Sequence, residues 1–272
     1  MTPELKKRIQ TAALGVTVLV LLLVFGGGIG AVLVASVLSI AMLYEFTGIT
    51  LSLPDQREKR FVILGCAWLL QVMNFWMVGA QLELLCFFFL GMTAYFLFTA
   101  EKYNGEELKQ HYRELMSTVF GFVYLAFLPT YLVSIRSSGY GMHWTLLFFF
   151  IVWANDIGAY FAGKKFGKRK LYPHISPKKT WEGAYGGLAA SVAISVLYKV
   201  IFFKQFSWFG AFAVPTLLSV VSPVGDLAES FLKRAFDKKD SSSILPGHGG
   251  FLDRFDSVVF SLPVMYVLSR LF

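Results

Sequence analysis

The chain has 272 residues, 56% of them hydrophobic and only 15% charged, with a net charge of +8 and a mean hydropathy of +0.60. A soluble domain carries about a quarter of its residues as charges. Here the apolar residues run in stretches near the roughly 20 needed to cross a bilayer, which excludes a water-soluble domain and predicts an all-α, polytopic membrane protein.

In chain order, residues 1–10 place Lys6, Lys7 and Arg8 before the first apolar stretch. That arrangement is similar to a secretory signal, but no clear small-x-small cleavage site follows. The stretch also runs almost directly into the next beyond Gly26-Gly27-Gly28, so the spacing predicts a retained first span. Nine spans are expected, over 11–26, 29–48, 61–79, 82–100, 115–135, 143–163, 184–203, 207–224 and 257–272. Cys66 and Cys86 fall in successive spans near opposite ends, which argues against a disulfide, and no Cys-rich metal spacing exists.

The connections 1–10, 49–60, 101–114, 164–183 and 225–256 hold 21 of the 25 Lys and Arg residues. The positive-inside rule therefore places the N-terminus in the cytoplasm and makes these the inner segments of an inner-membrane protein. The positive charge is a topological signal that also draws anionic lipid. Without a basic soluble domain it gives no indication of nucleic-acid binding. Residues 1–140 read as N-terminal transmembrane helices. Residues 141–272 read as the catalytic region, with its polar residues in the loops 164–183 and 225–256, at the cytoplasmic face.

The sixth span contains Asn155-Asp156. A carboxylate in an apolar span costs about 2.5–3.5 kcal/mol on insertion scales and is a functional candidate, the alternative being an interfacial partner for a nearby Lys. The next loop reads His174-Ile175-Ser176-Pro177-Lys178-Lys179-Thr180-Trp181-Glu182-Gly183. Ser176, Lys178, Lys179 and Thr180 before a helix suit a phosphate site. A plain N-cap by Thr180 accounts for the same pattern equally well.

The last inner loop is the most informative. If 226–236 is helical, Asp226, Glu229, Ser230, Lys233 and Arg234 share one face. Asp253 and Asp256 are three apart at the start of the final helix. Three carboxylates at the inner surface would suit a hard divalent cation such as Mg²⁺, and Gly247, Gly249 and Gly250 would let backbone approach a ligand. Metal, basic residues and a Gly-rich turn point to phosphoryl or nucleotidyl transfer. No P-loop or Rossmann glycine pattern is present. His248 in its Gly-rich turn reads as a hydrogen-bond donor rather than a base.

The ordered run Ser230, Lys233, Arg234, Lys239, Asp240, Ser242, Leu245, Pro246, His248, Gly249, Gly250, Phe251, Asp253, Arg254, Phe255 and Asp256 resembles the signature of the phosphatidate cytidylyltransferases, or CDP-diacylglycerol synthases. The Asn155-Asp156 and Ser176–Gly183 segments and Gly225-Asp226 are similar to that family too, so the detailed resemblance covers 150–260. The resemblance implies a nucleotidyltransferase of phospholipid biosynthesis: CTP plus phosphatidate gives CDP-diacylglycerol plus pyrophosphate. It implies Asp226, Asp253 and Asp256 as Mg²⁺ ligands, and Lys178, Lys179, Lys233, Arg234, Lys239 and Arg254 as phosphate partners. It also implies a monovalent cation such as K⁺ and a homodimer.

Two rivals remain in view. A CTP-dependent lipid kinase would need a base for a neutral hydroxyl, and the full signature argues against it. A transporter would place polar residues near the bilayer midplane, often in repeated halves, whereas here they gather at one face without an internal repeat. Nine spans and the charge bias put the N-terminus in the cytoplasm and Phe272 on the opposite side. Reporter fusions at both ends are expected to report different compartments, and the same compartment at both would break the nine-span topology.

Overall fold

The computed structural model describes residues 3–173, 175–238, 240–242 and 249–272, with side chains from residue 13 onward. The protein is an all-α polytopic membrane protein. Its helices are α1 (Pro3–Phe25), α2 (Gly27–Thr50), α3 (Gln56–Trp76), α4 (Gln81–Thr99), α5 (Gly105–Phe122), α6 (Thr130–Arg136), α7 (Gly141–Phe166), α8 (Trp181–Ile201), α9 (Trp208–Ala235) and α10 (Leu252–Leu271). Among the described residues, six helical segments are long and apolar enough to cross a membrane: Gly27–Thr50, Gln81–Lys102, Gly105–Arg136, Gly141–Phe166, Trp181–Ile201 and Trp208–Ala235. The expected spans 11–26, 61–79 and 257–272 lie on α1, α3 and α10, outside that set.

Two features depart from the sequence reading. The loop after α7 contains a small antiparallel hairpin, β1 (Lys170–Tyr172) with β2 (Ser176–Thr180), where Lys170 faces Thr180 and Tyr172 faces Ser176. The span expected at 207–224 does not end there either. It continues as one helix to Ala235, through Pro215 and Pro223. Each proline removes one helical hydrogen bond, a loss that membrane helices tolerate when neighbouring groups satisfy the freed backbone.

The chain divides into two compact units, residues 1–134 with 240–254, and residues 135–239 with 255–272. In the first, α2 packs on α3 and α5. Phe46 lies where any side chain on Gly121 would have to go. A π-helical turn, Val123–Phe127, interrupts the helix that runs from α5 to α6, and such turns disturb the regular carbonyl pairing. Amides of α3 answer it: Gln71 Nε2 donates to the Ala126 carbonyl at 2.7 Å and Asn74 Nδ2 to that of Thr130 at 3.2 Å. Interhelical hydrogen bonds of this kind hold membrane bundles, in which lipid is as apolar as the core.

The same unit has a buried ionic knot. Lys59 is wholly buried and lies 2.7 Å from Glu114 Oε2 and 2.8 Å from Asp55. Glu114 Oε1 accepts from the Ser52 and Leu53 backbone amides at 2.7 and 2.9 Å, fixing the turn between α2 and α3. Burial works to raise the Asp55 carboxyl, but hydrogen bonds from Lys59 and Tyr103 outweigh it and hold the group below its usual value. A lowered carboxyl stabilises the fold above its unfolded value, near pH 3.8, and that contribution fades as pH falls through the folded value.

Glu114→Gln would leave the buried Lys59 ammonium beside a neutral amide, with Asp55 in place of two carboxylates, a cost of up to about 3 kcal/mol. A clear drop in melting temperature in detergent is expected. Lys59→Met with Glu114→Leu should recover only part of the loss, because Asp55 and the Ser52 and Leu53 amides then lose their partners.

Candidate active site

The second unit assembles acids and bases from four elements. Helices α7 and α8 approach closely along small residues: a Cβ on Gly158 would lie 2.6 Å from both the Ala190 Cβ and the Gly186 carbonyl oxygen. Small residues at helix crossings permit this backbone approach. The contact sets Asp156, on α7, beside the hairpin that precedes α8. From β2, Lys179 reaches α9, where its Nζ lies 2.9 Å from Asp226 Oδ2 and donates to the Pro223 carbonyl at 3.2 Å.

Helix α10 completes the cluster. A Cβ on Gly225 would lie 2.7 Å from the Phe260 Cβ and 2.8 Å from the Asp256 carbonyl oxygen, so α9 and α10 touch at Gly225. Asp256 is buried, and its Oδ1 accepts from the Ser257 amide at 2.7 Å. Asp156, Asp226 and Asp256 stand near enough to act on one another electrostatically, with Glu229 also within range of Asp256. On α9 the buried Glu229 pairs with Lys233 at 2.8 Å, and Ser230 Oγ lies 3.4 Å from Asp226 Oδ1. Arg234 is exposed, with a 3.4 Å contact from its guanidinium to the Lys238 carbonyl.

The hairpin is secured at its exit. Thr180 Oγ1 accepts from the Gly183 amide at 3.1 Å, so Thr180 caps α8, one of the two roles its sequence position allowed. Glu182 accepts from the Lys168 and Arg169 amides at 3.0 and 3.1 Å, tying α8 to the turn before β1. Ser176 pairs across the hairpin with Tyr172, and Lys178 is exposed.

Asp253 belongs to the first unit, although three residues separate it from Asp256. Its Oδ2 accepts from the Gly250 amide at 3.0 Å and lies 2.9 Å from Ser241 Oγ. Reaching back three residues to Gly250 is the geometry of a capping-box acid. Arg254 is exposed at the start of α10. His248 and Lys239 lie outside the described residues.

One residue of this region escaped the sequence reading. Glu45, buried in the apolar helix α2, accepts from the Phe251 and Leu252 amides, both at 2.9 Å, and from Ser242 Oγ at 2.6 Å. The signal was present: a carboxylate in an apolar span marked Asp156 as a candidate, and the same test applied to Glu45 finds it.

The cytidylyltransferase family model matches residues 6–272. The chain belongs to the cytidylyltransferase family. The match spans nearly the whole chain, well beyond the 150–260 region in which the sequence motifs concentrate. A relative from Bacillus subtilis (strain 168), named phosphatidate cytidylyltransferase, is 32% identical over 287 residues, covering 99% of each chain. One of the same name from Brucella suis biovar 1 is 35% identical over 271 residues, 99% of this chain and 94% of the relative. A Staphylococcus aureus (strain COL) relative, also so named, reaches 51% identity over 130 residues, 47% of this chain and 49% of its own.

Within this family member, the α9–α10 crossing is a sensitive point. Gly225→Val would drive a branched side chain into the Asp256 backbone and move the two acids apart. A fall in turnover of at least about tenfold is expected, since small misplacements of reacting groups are that costly. Retained turnover in a folded Gly225→Val protein would show that the crossing does not set the site.

Proposed function

We propose that this chain transfers the cytidylyl group of CTP to phosphatidate, giving CDP-diacylglycerol and pyrophosphate, at the cytoplasmic face of the inner membrane. The observation that carries the proposal is the cluster of Asp156, Lys179, Asp226 and Asp256 in a member of the cytidylyltransferase family. The relatives' names supply the substrates.

Mg²⁺ is the expected cofactor, and the donor set suits it. Among the described residues, no three His, Cys, Asp or Glu side chains form a complete metal cage. Mg²⁺ rarely uses one, being held by one or two carboxylates, waters and substrate phosphates. Asp226 and Asp256 supply such carboxylates, and Asp253, with its orientation fixed by Gly250 and Ser241, is the third acid that the resemblance names. When bound, the ion would neutralise charge on the nucleotide phosphates. A monovalent cation such as K⁺ and a homodimer follow from the same resemblance.

The chain's own residues do the positioning. An oxygen of the lipid phosphate attacks the α-phosphorus of CTP and forms a new P–O bond. The bond to the β-phosphate oxygen breaks, and pyrophosphate leaves with the electron pair. Because the nucleophile is already anionic, no side chain has to remove a proton from it. Lys178, Lys179, Lys233, Arg234, Lys239 and Arg254 are the cations assigned to gather the anionic partners, and His248 donates a hydrogen bond to phosphate. Holding two anions in line against their repulsion is the main task, and fixed charges accomplish it.

Purified protein in detergent with phosphatidate, labelled CTP and Mg²⁺ should yield CDP-lipid and pyrophosphate in equal amounts. Diacylglycerol, a neutral alcohol, should not react. Asp226→Asn should abolish turnover and, because the Lys179–Asp226 pair is partly exposed, lower the melting temperature only modestly. CDP and a phosphorylated lipid formed from diacylglycerol would instead establish a kinase.

A further inference from the structure

The carboxylate of Glu45 is enclosed by four hydrogen-bonding groups, all from the segment that carries the family signature. Oε1 accepts from Ser242 Oγ at 2.6 Å and the Phe251 amide at 2.9 Å. Oε2 accepts from the Leu252 amide at 2.9 Å and lies 2.9 Å from Ser241 Oγ. The same Ser241 hydroxyl lies 2.9 Å from Asp253 Oδ2 and so bridges the two carboxylates. Any side chain on Gly250 would occupy the space of Ser241 Oγ and Glu45 Oε2, so the signature's glycine is required by this contact.

Glu45 comes from α2, about 200 residues earlier in sequence than these partners, as the 206- and 207-residue separations to Phe251 and Leu252 show. Phe251 and Leu252 supply amides at the N-terminus of α10, where a carboxylate is favoured by unpaired N–H groups and by the helix dipole. Asp253 follows directly. A buried acid that meets both the first turn of α10 and the serine bonded to Asp253 fixes how the Asp253 carboxylate is presented.

We infer that Glu45 is a positioning residue for cytidylyl transfer, acting through Ser241 and the first turn of α10 to orient Asp253. The inference rests on the function proposed above. Partners that orient a metal ligand contribute about 10–100-fold to metal affinity or activity.

Glu45→Gln is the discriminating change because it conserves shape. A carboxamide offers one acceptor oxygen and one NH₂. Whichever way it turns, the NH₂ faces a backbone N–H, that of Phe251 or that of Leu252, and neither can reverse its role as donor. The experiment compares wild type, Glu45→Gln, Ser241→Ala and, as a structural control, Glu114→Gln, all full-length in detergent. Three quantities are measured: kcat and KM for CTP across a Mg²⁺ titration, the shift in melting temperature caused by Mg²⁺ alone, and hydrogen exchange at residues 249–254.

Glu45→Gln is expected to lose about 10–100-fold in kcat or in Mg²⁺ half-saturation, with KM for CTP nearly unchanged. Its Mg²⁺-induced melting shift should shrink, and the Phe251 and Leu252 amides should exchange faster. Ser241→Ala should move the same quantities less, and it decides the matter if Glu45→Gln does not fold. Glu114→Gln should lower the melting temperature yet keep the wild-type Mg²⁺ response. Wild-type Mg²⁺ dependence in Glu45→Gln, or an equal change in Glu114→Gln, would overturn the inference. If the wild type makes no CDP-lipid, the proposed reaction fails, while the melting shift and amide exchange still decide the role of Glu45.

Discussion

The Lys179 ammonium lies 2.9 Å from Asp226 and donates to the Pro223 carbonyl, and this contact joins a loop strand to the helix that carries the acids. Both side chains are only partly buried, yet the paired geometry satisfies the ammonium and the carboxylate together. That pairing makes the position of β2 depend on α9. The hairpin β1–β2 then sets where α8 starts, and Thr180 closes the start of α8 as its cap. The tight α7–α8 crossing at Gly158 and Gly186 brings Asp156 to the same place. The charge pair, the Thr180 cap and the small-residue crossing thus gather four elements of the second unit.

The first unit follows the same rule with other residues. Lys59 and Glu114 neutralise one another where α3 and α5 meet, and the second oxygen of Glu114 holds the α2–α3 turn. Gln71 occupies a carbonyl of the π-helical turn and Asn74 one at the start of α6. Glu45 takes the amides that open α10. In each case a polar side chain on an apolar helix is partnered by backbone or by an opposite charge. Unpaired, such groups would cost several kcal/mol in a lipid-spanning protein.

Chemistry and architecture share a cause in this arrangement. Cytidylyl transfer between two anions calls for fixed positive charge and oxygen ligands, placed so that little reorganisation accompanies reaction. Rigid helices supply that fixity better than mobile loops, and Asp226, Glu229 and Lys233 all lie on one continuous helix. The extension of α9 past its apolar part to Ala235 carries the span's rigidity into the charged segment.

The sequence by itself determined the class of fold, the helical periods and the acids worth watching. Apolar runs of bilayer length leave few alternatives to helices, and a carboxylate among them stands out on grounds of cost alone. The three-residue spacing of Asp253 and Asp256 also placed both correctly on the first turns of α10. Only the tertiary structure decided their company. Those two acids fall into different compact units, Asp253 with Glu45 and Ser241, Asp256 with Asp226 and Asp156. The pairing of Lys179 with Asp226, the hairpin and the role of Glu45 were equally hidden. Local spacing reports which residues share a helix face, whereas contacts spanning 44 residues, or 207, arise from how helices cross. Those crossings depend on where small residues let backbones touch and on which buried charges must meet a partner.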